Sequence, residues 1–255
     1  MKRGLKMASV TFEQSIDHSA DTLNTLNQFS NFMNCIKTVA DMGCGAGDDA
    51  YWWAQLVNEN GDPRNINVFG IDKQFEPART RFHDNITYIQ ADFTSSGLAK
   101  DSVDFLWAHN SLQYSLSPLQ TLLHWWDIMK PEAMLLVSIP YNFEIRTTHE
   151  RSSVDVFYGH NSYFNFGMGN LIMSLALTGF DCRNSHFKMD KENNWIQAAV
   201  YKLPKQPNPN RSWYDLVEEN LLPVDIHDAI NQNGNFRDSD ISCEWIDRSQ
   251  YFLGL

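Results

Sequence analysis

The chain has 255 residues, of which 43% are hydrophobic and 20% are charged. These proportions are ordinary for globular proteins, and they exclude disordered and fibrous classes. The formal net charge of −11 speaks against a broad nucleic-acid-binding surface, because neutralising phosphates needs clustered cations. A chain of this length suits one large domain, or one domain with a sizeable appendage.

Apolar runs and cysteine spacing favour a cytoplasmic protein. The longest mainly apolar run, 133–139, is too short to cross a bilayer, and residues 1–8 carry charges without the apolar core of a signal peptide. The four cysteines have no spacing typical of a metal site. We therefore expect free thiols in a reducing, cytoplasmic compartment, with no membrane partner and no bound metal.

The first part of the chain predicts a helix, a strand and a second helix. Residues 19–36 place apolar side chains on one stripe of a helix. An apolar strand at 38–42 runs into the glycine cluster 43–47. Asp48 and Asp49 then open a helix whose predicted buried face ends at Val57, because apolar residues recur there at helical spacing.

The alternation of strands and helices continues. Apolar segments at 67–71, 86–89, 103–107 and 134–139 are predicted strands, and a helix at about 118–129 precedes the last of them. Parallel strands need long crossovers, which are usually helical. This order therefore predicts a parallel sheet that is covered on both faces.

The rhythm changes after the fifth strand. A helix from Met168 stops before Gly179, and two strands follow at 180–189 and 195–203. Only a short polar turn joins these two strands, so they must form an antiparallel hairpin. The predicted fold class is α/β, a Rossmann-like three-layer sandwich around a seven-stranded, mostly parallel sheet whose last strand is antiparallel.

Three parts of the chain are expected: an N-terminal helical cap at 1–37, a core domain at 38–203 and an acidic C-terminal extension at 204–255. Within the core domain, the aromatic and polar segment 141–167 has no clear period and is interpreted as an insertion. The extension has a net charge of −5, but it carries too many large apolar side chains to leave in water. We expect it to dock on the same chain rather than on a second subunit, because the linker at 205–210 is short.

Carboxylates follow three consecutive predicted strands, next to a glycine-rich turn. Asp41 precedes the glycines of 43–47, Asp72 ends the second strand, and Asp92 ends the third. Such a turn brings backbone N–H groups and a helix N-terminus to a ligand, and consecutive parallel strand ends share one crevice. Asp72 can accept hydrogen bonds from a vicinal diol, and Asp92 from an amino group. The structural alternatives are a turn cap for Asp41, a helix N-cap for Asp72 and a solvated loop acid for Asp92.

These residues carry a resemblance to a known family. Residues 39–47 resemble the first motif of class I S-adenosylmethionine (SAM)-dependent methyltransferases, in particular the small-molecule methyltransferase 11 group. Segments similar to the later motifs of the family lie in order at 69–72, 91–93, 102–110 and 129–131. The resemblance spans about 39–140, and the hairpin at 180–203 suits the family's reversed seventh strand.

The resemblance implies SAM as the cofactor and gives each strand end a role. Gly43 and Gly45 would pack under the methionine part of SAM. Asp72 would hold the ribose hydroxyls and Asp92 the adenine amino group, with Phe93 at the adenine ring. The predicted cofactor-binding residues are Asp41, Gly43, Gly45, Gly47, Asp72, Lys73, Asp92, Phe93, His109 and Asn110.

Two departures and one rival family bear on this assignment. Glu132 and Ala133 replace the paired glycines that the family has after Lys-Pro, and the stretch 58–67 is longer than usual. A nicotinamide dehydrogenase also uses a glycine turn and a strand-end acid, but it needs Gly-x-Gly-x-x-Gly with the acid about 20 residues on. Asp72 lies 29 residues after Gly43, which favours the methyltransferase.

The methyl acceptor is predicted to be a small molecule. Enzymes that methylate the amino nitrogen of nucleobases have Asn/Asp-Pro-Pro-aromatic after the fourth strand, whereas residues 109–112 are His-Asn-Ser-Leu, so we expect no DNA partner. His109 lies where the nucleophile should approach, either as a catalytic residue or as a contact to the cofactor or strand end. The alternatives are an RNA or protein methyltransferase, or a SAM-binding protein without catalysis. The oligomeric state stays open.

The insertion at 141–167 falls where the family places substrate recognition. It mixes aromatic and cationic side chains, which suit a planar or anionic small substrate through stacking and charge-assisted hydrogen bonds. The candidate substrate-binding residues are Tyr141, Arg146, His149, Arg151 and Tyr163. The alternative is a lid that packs on the core and has a solvated, charged rim.

Overall fold

A computed structural model of the protein describes residues 30–58, 60–74, 81–140, 164, 166–190 and 195–234. The helices and strands in chain order are α1 (Ser30–Cys35), β1 (Thr38–Met42), α2 (Asp48–Ala54), β2 (Asn67–Asp72), β3 (Ile86–Gln90), β4 (Val103–His109), α3 (Pro118–Ile128), β5 (Met129–Pro140), α4 (Met168–Leu177), β6 (Phe180–Asp190), β7 (Trp195–Lys202), α5 (Trp213–Glu218) and α6 (Val224–Asn233). Short 3-10 turns at Phe93–Ser95 and Leu112–Tyr114 follow β3 and β4. Within these ranges, no helix combines the length and apolar character that a membrane span requires.

The strands form one seven-stranded sheet in the order β3-β2-β1-β4-β5-β7-β6. Strands β1 to β5 pair in parallel, and β7 is antiparallel to both β5 and β6. This topology confirms the predicted α/β class and the antiparallel last strand. The chain builds outward from β1 to β3 and then crosses to β4 and β5 on the other side. The order therefore reverses between β1 and β4, where open α/β sheets form a ligand crevice.

Helices cover both faces of the sheet. On the face that we call the α2 face, α1 and α2 pack with Val39, Phe105 and Leu136. On the opposite α3 face, α3, α4, α5 and α6 pack with Leu106 and Val137. Successive residues of a strand point to opposite layers, so central strands that are covered on both sides need continuous apolar runs. The sequence has such runs at these strands, and for this reason the strands can be predicted from the sequence.

Some of the predicted element bounds need correction. Val57 does not belong to α2, which ends at Ala54, and it forms an isolated bridge with Pro63 instead. His109 lies in β4 rather than in the following loop, because the ladder to Ser138 of β5 continues that far. Of the predicted first helix only α1 is described. Most of the predicted N-terminal cap, and the end of the predicted extension, lie outside the described ranges.

The start of β5 contains the departure from the family's glycine pair. The ladder between β4 and β5 is irregular, since Val103 pairs with Met129 whereas Phe105 pairs with Met134. Inside this irregularity Glu132 has a φ of 62°. This is the left-handed conformation that glycine adopts without strain. A non-glycine residue therefore occupies a backbone position that suits glycine.

The segment after β7 packs on the same core as the sheet. Leu216 and Leu222 are fully buried in the cluster that includes α3 and α4. Glu219, which follows α5, pairs with Lys205 Nζ at 2.7 Å and with Arg211 Nε at 3.0 Å. Apolar burial thus joins the described part of the extension to the sheet, and the ion pairs link residues within the extension.

Candidate active site

The ends of β1 to β4 bring the predicted acids to one edge of the sheet. Asp41 pairs in register with Gly70 of β2 on one side and with Trp107 of β4 on the other. Asp72 is the last residue of β2, and Asp92 comes two residues after β3. These side chains therefore lie at the crevice that the strand order creates.

The glycine loop is packed so closely that two glycines have no room for a side chain. A Cβ on Gly43 would lie 2.6 Å from the Cβ of Ser111, and a Cβ on Gly47 would lie 2.1 Å from the hydroxyl oxygen of Tyr88. By contrast, a Cβ on Gly45 would meet no atom within 4 Å. The space over Gly45 is therefore open to a ligand that approaches the backbone.

Asp72 is fixed by the backbone around it. Its Oδ2 accepts a hydrogen bond from the Gly45 N–H at 2.9 Å, and its Oδ1 accepts one from the Gln74 N–H at 2.8 Å. Each carboxylate oxygen has a further lone pair, so both can also accept from neighbouring hydroxyls of a ribose. The same carboxylate thus positions the glycine loop and presents acceptors to a diol.

Asp92 is held beside Lys73 at the ends of β3 and β2, with 2.6 Å between Oδ2 and Nζ. Its Oδ1 accepts the Thr94 N–H at 2.9 Å and caps the 3-10 turn that begins at Phe93. Burial disfavours the ionised form, but the hydrogen bonds from Lys73 and Thr94 outweigh it and hold the pKa of Asp92 below its ordinary value. The Trp125 Nε1–H donates to the Phe93 carbonyl at 2.9 Å and ties this turn to α3. Asp92 is therefore an ionised acceptor at neutral pH.

Asp41 is buried at the end of β1. Only 2% of the residue is exposed, and its Oδ2 has no hydrogen-bond partner. Burial, and next the charge of Asp49, raise the pKa of Asp41 well above its ordinary value. A cation bound at the glycine loop offsets this cost, because an opposite charge favours the carboxylate. The sulfonium and amino groups of SAM carry that charge, so the residues present fit this cofactor.

The residues after β4 contribute further polar groups. Asn110 has a φ of 53°, donates its N–H to the Ser138 carbonyl at 2.8 Å and accepts the Gln113 amide at its Oδ1. Ser111 Oγ and Gln113 Oε1 are buried and have no hydrogen-bond partner. Buried polar atoms are normally bonded, so a polar ligand at this loop would complete their bonding.

His109 faces an acid from the first turn of α2. Its Nδ1 lies 3.6 Å from Asp49 Oδ2, and that oxygen also accepts the Trp107 Nε1–H at 2.9 Å. The imidazole stacks on Trp195 of β7, with ring centroids 5.2 Å apart and an angle of 18° between planes. The His109 and Asp49 side chains are only 15% and 21% exposed, so the pair is recessed. An imidazole that is oriented by a carboxylate can take a proton from a nucleophile.

Sequence reasoning missed Asp49 and Trp195. Asp49 was assigned only to the start of a helix, together with Asp48, because two acids in a first turn have an ordinary structural reason. The two acids differ in the folded protein, since Asp48 Oδ1 meets Arg81 Nε at 2.6 Å on the surface side. No local pattern separates them. The stacking between Trp195 and His109 depends on strand order and has no local signal either.

Further predictions concern the cysteines, a bound metal and the substrate-binding residues. Cys35, Cys44 and Cys182 are free thiols as predicted, and burial together with Asp41 and Asp72 raises the pKa of Cys44. In the ranges that the structure covers, no group of three or more His, Cys, Asp or Glu side chains is placed to hold a metal. The candidate substrate-binding residues Tyr141, Arg146, His149, Arg151 and Tyr163 all lie outside the described residues.

Residues 40–137 match the family model described as "Methyltransferase domain". No curated protein matches the sequence. Among solved structures, the chain is similar to the CurJ carbon methyltransferase, with a TM-score of 0.57 and 14% identity over 75% of this chain and 56% of that chain. It is also similar to an S-adenosylmethionine-dependent methyltransferase from Mesorhizobium loti (TM-score 0.52, 17% identity, 65% of this chain and 90% of that chain). A third similar structure is the 1,6-didemethyltoxoflavin-N1-methyltransferase from Burkholderia thailandensis with bound S-adenosylhomocysteine. Its TM-score is 0.50, with 12% identity over 77% of this chain and 95% of that chain.

The solved structures establish the fold, and the family match covers the part of the chain that carries the site. The glycine loop, Asp72, Asp92 and His109 all lie inside the matched range. The open space over Gly45 and the buried acceptor on Asp41 suit a cationic cofactor that touches the backbone. Residues 40–137 therefore form a domain that matches the methyltransferase family, and the site that they carry suits S-adenosylmethionine as its cofactor.

Proposed function

We propose that this methyltransferase acts on a small-molecule acceptor and that His109 takes the proton of the acceptor's nucleophile. The observation that carries the proposal is the recessed pair of His109 and Asp49 beside the glycine loop. When bound at this edge, SAM supplies an electrophilic methyl group. A hydroxyl or amine nucleophile must lose a proton when it is methylated, and a neutral imidazole with a carboxylate at Nδ1 can hold that proton.

The proposed contacts to the cofactor follow from the acceptors at the strand ends. Asp72 has free lone pairs for the ribose hydroxyls, and Asp92, kept ionised by Lys73, accepts from the adenine amino group. Asp41 and Ser111 offer buried polar atoms near the glycine loop, on the side of the charged methionine part. Each of these side chains keeps a hydrogen-bonding position that the protein itself does not use and that a ligand can occupy.

Two observations favour a small acceptor over RNA or protein. The net charge of −11 opposes the approach of a polyanion. His109 and Asp49 are recessed, so a macromolecule would have to insert a side chain or a base to reach them. A small partner needs no such insertion.

The test of cofactor binding is isothermal titration with SAM. We expect the wild type to bind and Asp72→Ala to lose about 30-fold or more in affinity, because charge-assisted hydrogen bonds to the ribose are removed. Asp62→Ala is the matched control, since Asp62 is an exposed acid that bonds to Asn58 in a turn away from the site. Equal affinities for the wild type and Asp72→Ala would contradict the assignment.

The test of the acceptor class uses SAM labelled in its methyl group. The protein is incubated with a cell extract, and label is then counted in the small-molecule, RNA and protein fractions. We expect label in the small-molecule fraction, and His109→Gln should abolish it while SAM still binds. Label that appears only in RNA or protein would refute the small-molecule acceptor.

A further inference from the structure

A row of polar side chains crosses the α2 face of the sheet next to the proposed base. His109 of β4 pairs in register with Ser138 of β5, and Ser138 pairs with Gln197 of β7. Laterally paired residues project from the same face of a sheet, so the three side chains form one row. Lys188 of β6 pairs with Gln197 and marks the outer end of the row.

This row differs from the neighbouring row on the same face. The neighbouring row begins two residues before His109, at Trp107, which pairs with Leu136, and Leu136 pairs with Ala199. All three belong to the apolar core. The polar row is nevertheless equally deep, with Ser138 at 0% and Gln197 at 4% exposure. Burying a polar group is costly unless it is hydrogen-bonded, so the bonding of Ser138, at the centre of the row, bears on whether the row serves the fold.

Ser138 supplies the sharpest indication of a ligand. Its Oγ is fully buried and has no hydrogen-bond partner, although its backbone carbonyl is bonded to the Asn110 N–H. A hydroxyl that served only to stabilise the sheet would be bonded within the protein. The indole of Trp195 lies on the same face two residues before Gln197 and reaches across β5 to the His109 ring. Ser138 therefore lies beside an aromatic wall that begins at the proposed base.

We propose that this row is the binding site of the methyl acceptor, and that the acceptor is a compact polar compound with a neutral hydroxyl or amine nucleophile. The inference rests on the function proposed above, because it uses His109 as the reacting end of the row. Ser138 and Gln197 hydrogen-bond the acceptor, and Trp195 packs against its flat or apolar side. The site lies outside the insertion at 141–167 from which substrate residues were predicted.

The size and charge of the row define the class of acceptor. Neighbouring strands are about 4.8 Å apart, so the row from His109 to Gln197 is about 10 Å long, which suits one ring with its substituents. Ser138 and Gln197 are uncharged, and Asp49 is an acid at the reacting end. An anionic nucleophile would be repelled there, whereas a neutral hydroxyl or amine would not.

The first experiment needs no knowledge of the acceptor, since it asks whether the Ser138 hydroxyl serves the fold. Ser138→Ala should leave the unfolding temperature of the free protein unchanged or slightly raised, because an unbonded buried hydroxyl is removed. Ser115→Ala is the matched control, since Ser115 is equally buried but its Oγ bonds to Thr121 Oγ1 at 2.7 Å. That variant should unfold several degrees lower. A loss with Ser138→Ala as large as that with Ser115→Ala would make the hydroxyl structural and overturn the proposal.

The second experiment looks for the acceptor itself. The protein saturated with S-adenosylhomocysteine is screened by thermal shift against small phenols, alcohols and amines, with matched methyl ethers and tertiary amines as controls. We expect stabilisation by compounds of the first set, and Ser138→Ala and Gln197→Met should each weaken their binding about fivefold or more. The affinity for S-adenosylhomocysteine should not change.

The outcomes separate this inference from the proposed function. Failure of the wild type to bind S-adenosylhomocysteine would refute the cofactor assignment. If S-adenosylhomocysteine binds but no compound of the panel does, the acceptor class is wrong. If a compound binds the wild type and both variants equally, the acceptor site lies elsewhere, and the insertion at 141–167 becomes the region to examine.

Discussion

Two neighbouring acids at the start of α2 have different partners. Asp48 pairs with Arg81 at 2.6 Å, whereas Asp49 accepts from Trp107 and faces His109 at 3.6 Å. Both are in the first helical turn and both carry the same charge, so each has the same favourable interaction with the helix dipole. The difference between them is tertiary, and it makes them a matched pair for mutagenesis.

We expect Asp49→Asn to slow methyl transfer about tenfold or more while SAM affinity stays within about threefold. The amide keeps the size of the side chain and an acceptor for Trp107, but it cannot stabilise a protonated His109. The measurement is the single-turnover rate across a pH series, using an acceptor identified by the labelling assay. Asp48→Asn should leave the rate within about twofold. If Asp49→Asn weakened SAM binding without slowing the bound complex, the role of Asp49 would lie in the glycine loop.

The sequence was informative for those site residues that end a strand. The sequence predicts that Asp72 and Asp92 lie at the crevice, because a strand-end acid has a position in the sheet as soon as the strand is recognised. It does not single out Asp49 or Ser138, because the roles proposed for them depend on partners far away in the chain. Trp107 is 58 positions from Asp49, and the row through Ser138 exists only because β7 inserts beside β5.

At the scale of elements, α3 fixes the 3-10 turn that Asp92 caps. The His124 Nε2 accepts the Ser96 N–H at 3.0 Å, and the adjacent Trp125 donates to the Phe93 carbonyl at 2.9 Å. Two consecutive helix residues therefore hold the turn from Phe93 to Ser96. The first bond needs an unprotonated Nε2, because a protonated imidazole has no acceptor.

We expect His124 to make the stability of the protein depend on pH. Burial lowers the pKa of His124 below its ordinary value, so below about pH 6.5 the unfolded chain takes up a proton that the folded chain does not. The free energy of unfolding therefore falls as the pH drops through this region, and the effect is absent at higher pH, where both states are neutral. Urea titrations between about pH 7.5 and 5 should give a flatter profile for His124→Gln than for the wild type.

The control for this prediction is His227→Gln. His227 lies on α6 at the surface, and its imidazole bonds to the exposed neighbours Asp228 and Asn231. That variant should keep the slope of the wild type. If both variants had the wild-type slope, the stability would not depend on protonation of His124.

Glu132 permits a second prediction at this scale. Its φ of 62° is strained for a residue with a Cβ, so Glu132→Gly should stabilise the protein by up to about 1 kcal/mol. Part of the relieved strain is offset, because glycine has a greater conformational entropy in the unfolded chain. Glu132→Ala keeps the Cβ and should give no such gain. Thermal and urea unfolding of the two variants provide the measurement. An equal gain for both would point to the lost carboxylate rather than to the backbone.

At the scale of the whole molecule, the extension shares the core of the sheet. Leu216→Ala should lower the free energy of unfolding by about 2–4 kcal/mol, because it opens a cavity in a fully buried part of the cluster. Tyr214→Ala on the same helix is the control, since Tyr214 is 61% exposed, and it should change stability by less than about 0.5 kcal/mol. Equal, small effects of both substitutions in urea unfolding would mean that α5 contributes little to the stability of the sheet.

Most of the fold was predictable, because seven short apolar segments are separated by helical patterns or polar stretches and leave few topologies. The parallel pairing of the first five strands follows from their long connections, and the hairpin of β6 and β7 follows from its short turn. The element bounds were less predictable. β4 runs on to His109 because a backbone ladder with β5 overrides the polar character of that residue. The course of β5 from Met129 depends on an irregular pairing with Val103, which has no signature in a single sequence.

The strand order also determines what the chain exposes while it is being made. β7 is the last strand in the sequence, yet it lies between β5 and β6, so the outer edge of β5 has no partner until residues 195–202 have been synthesised. That edge runs from Met134 to Pro140 and is almost entirely apolar. An open apolar edge is a template for pairing with another chain. A product that terminates anywhere between β5 and β7 therefore presents to its neighbours the seven residues that β7 would have covered, and premature termination in this interval favours aggregation rather than a shortened enzyme.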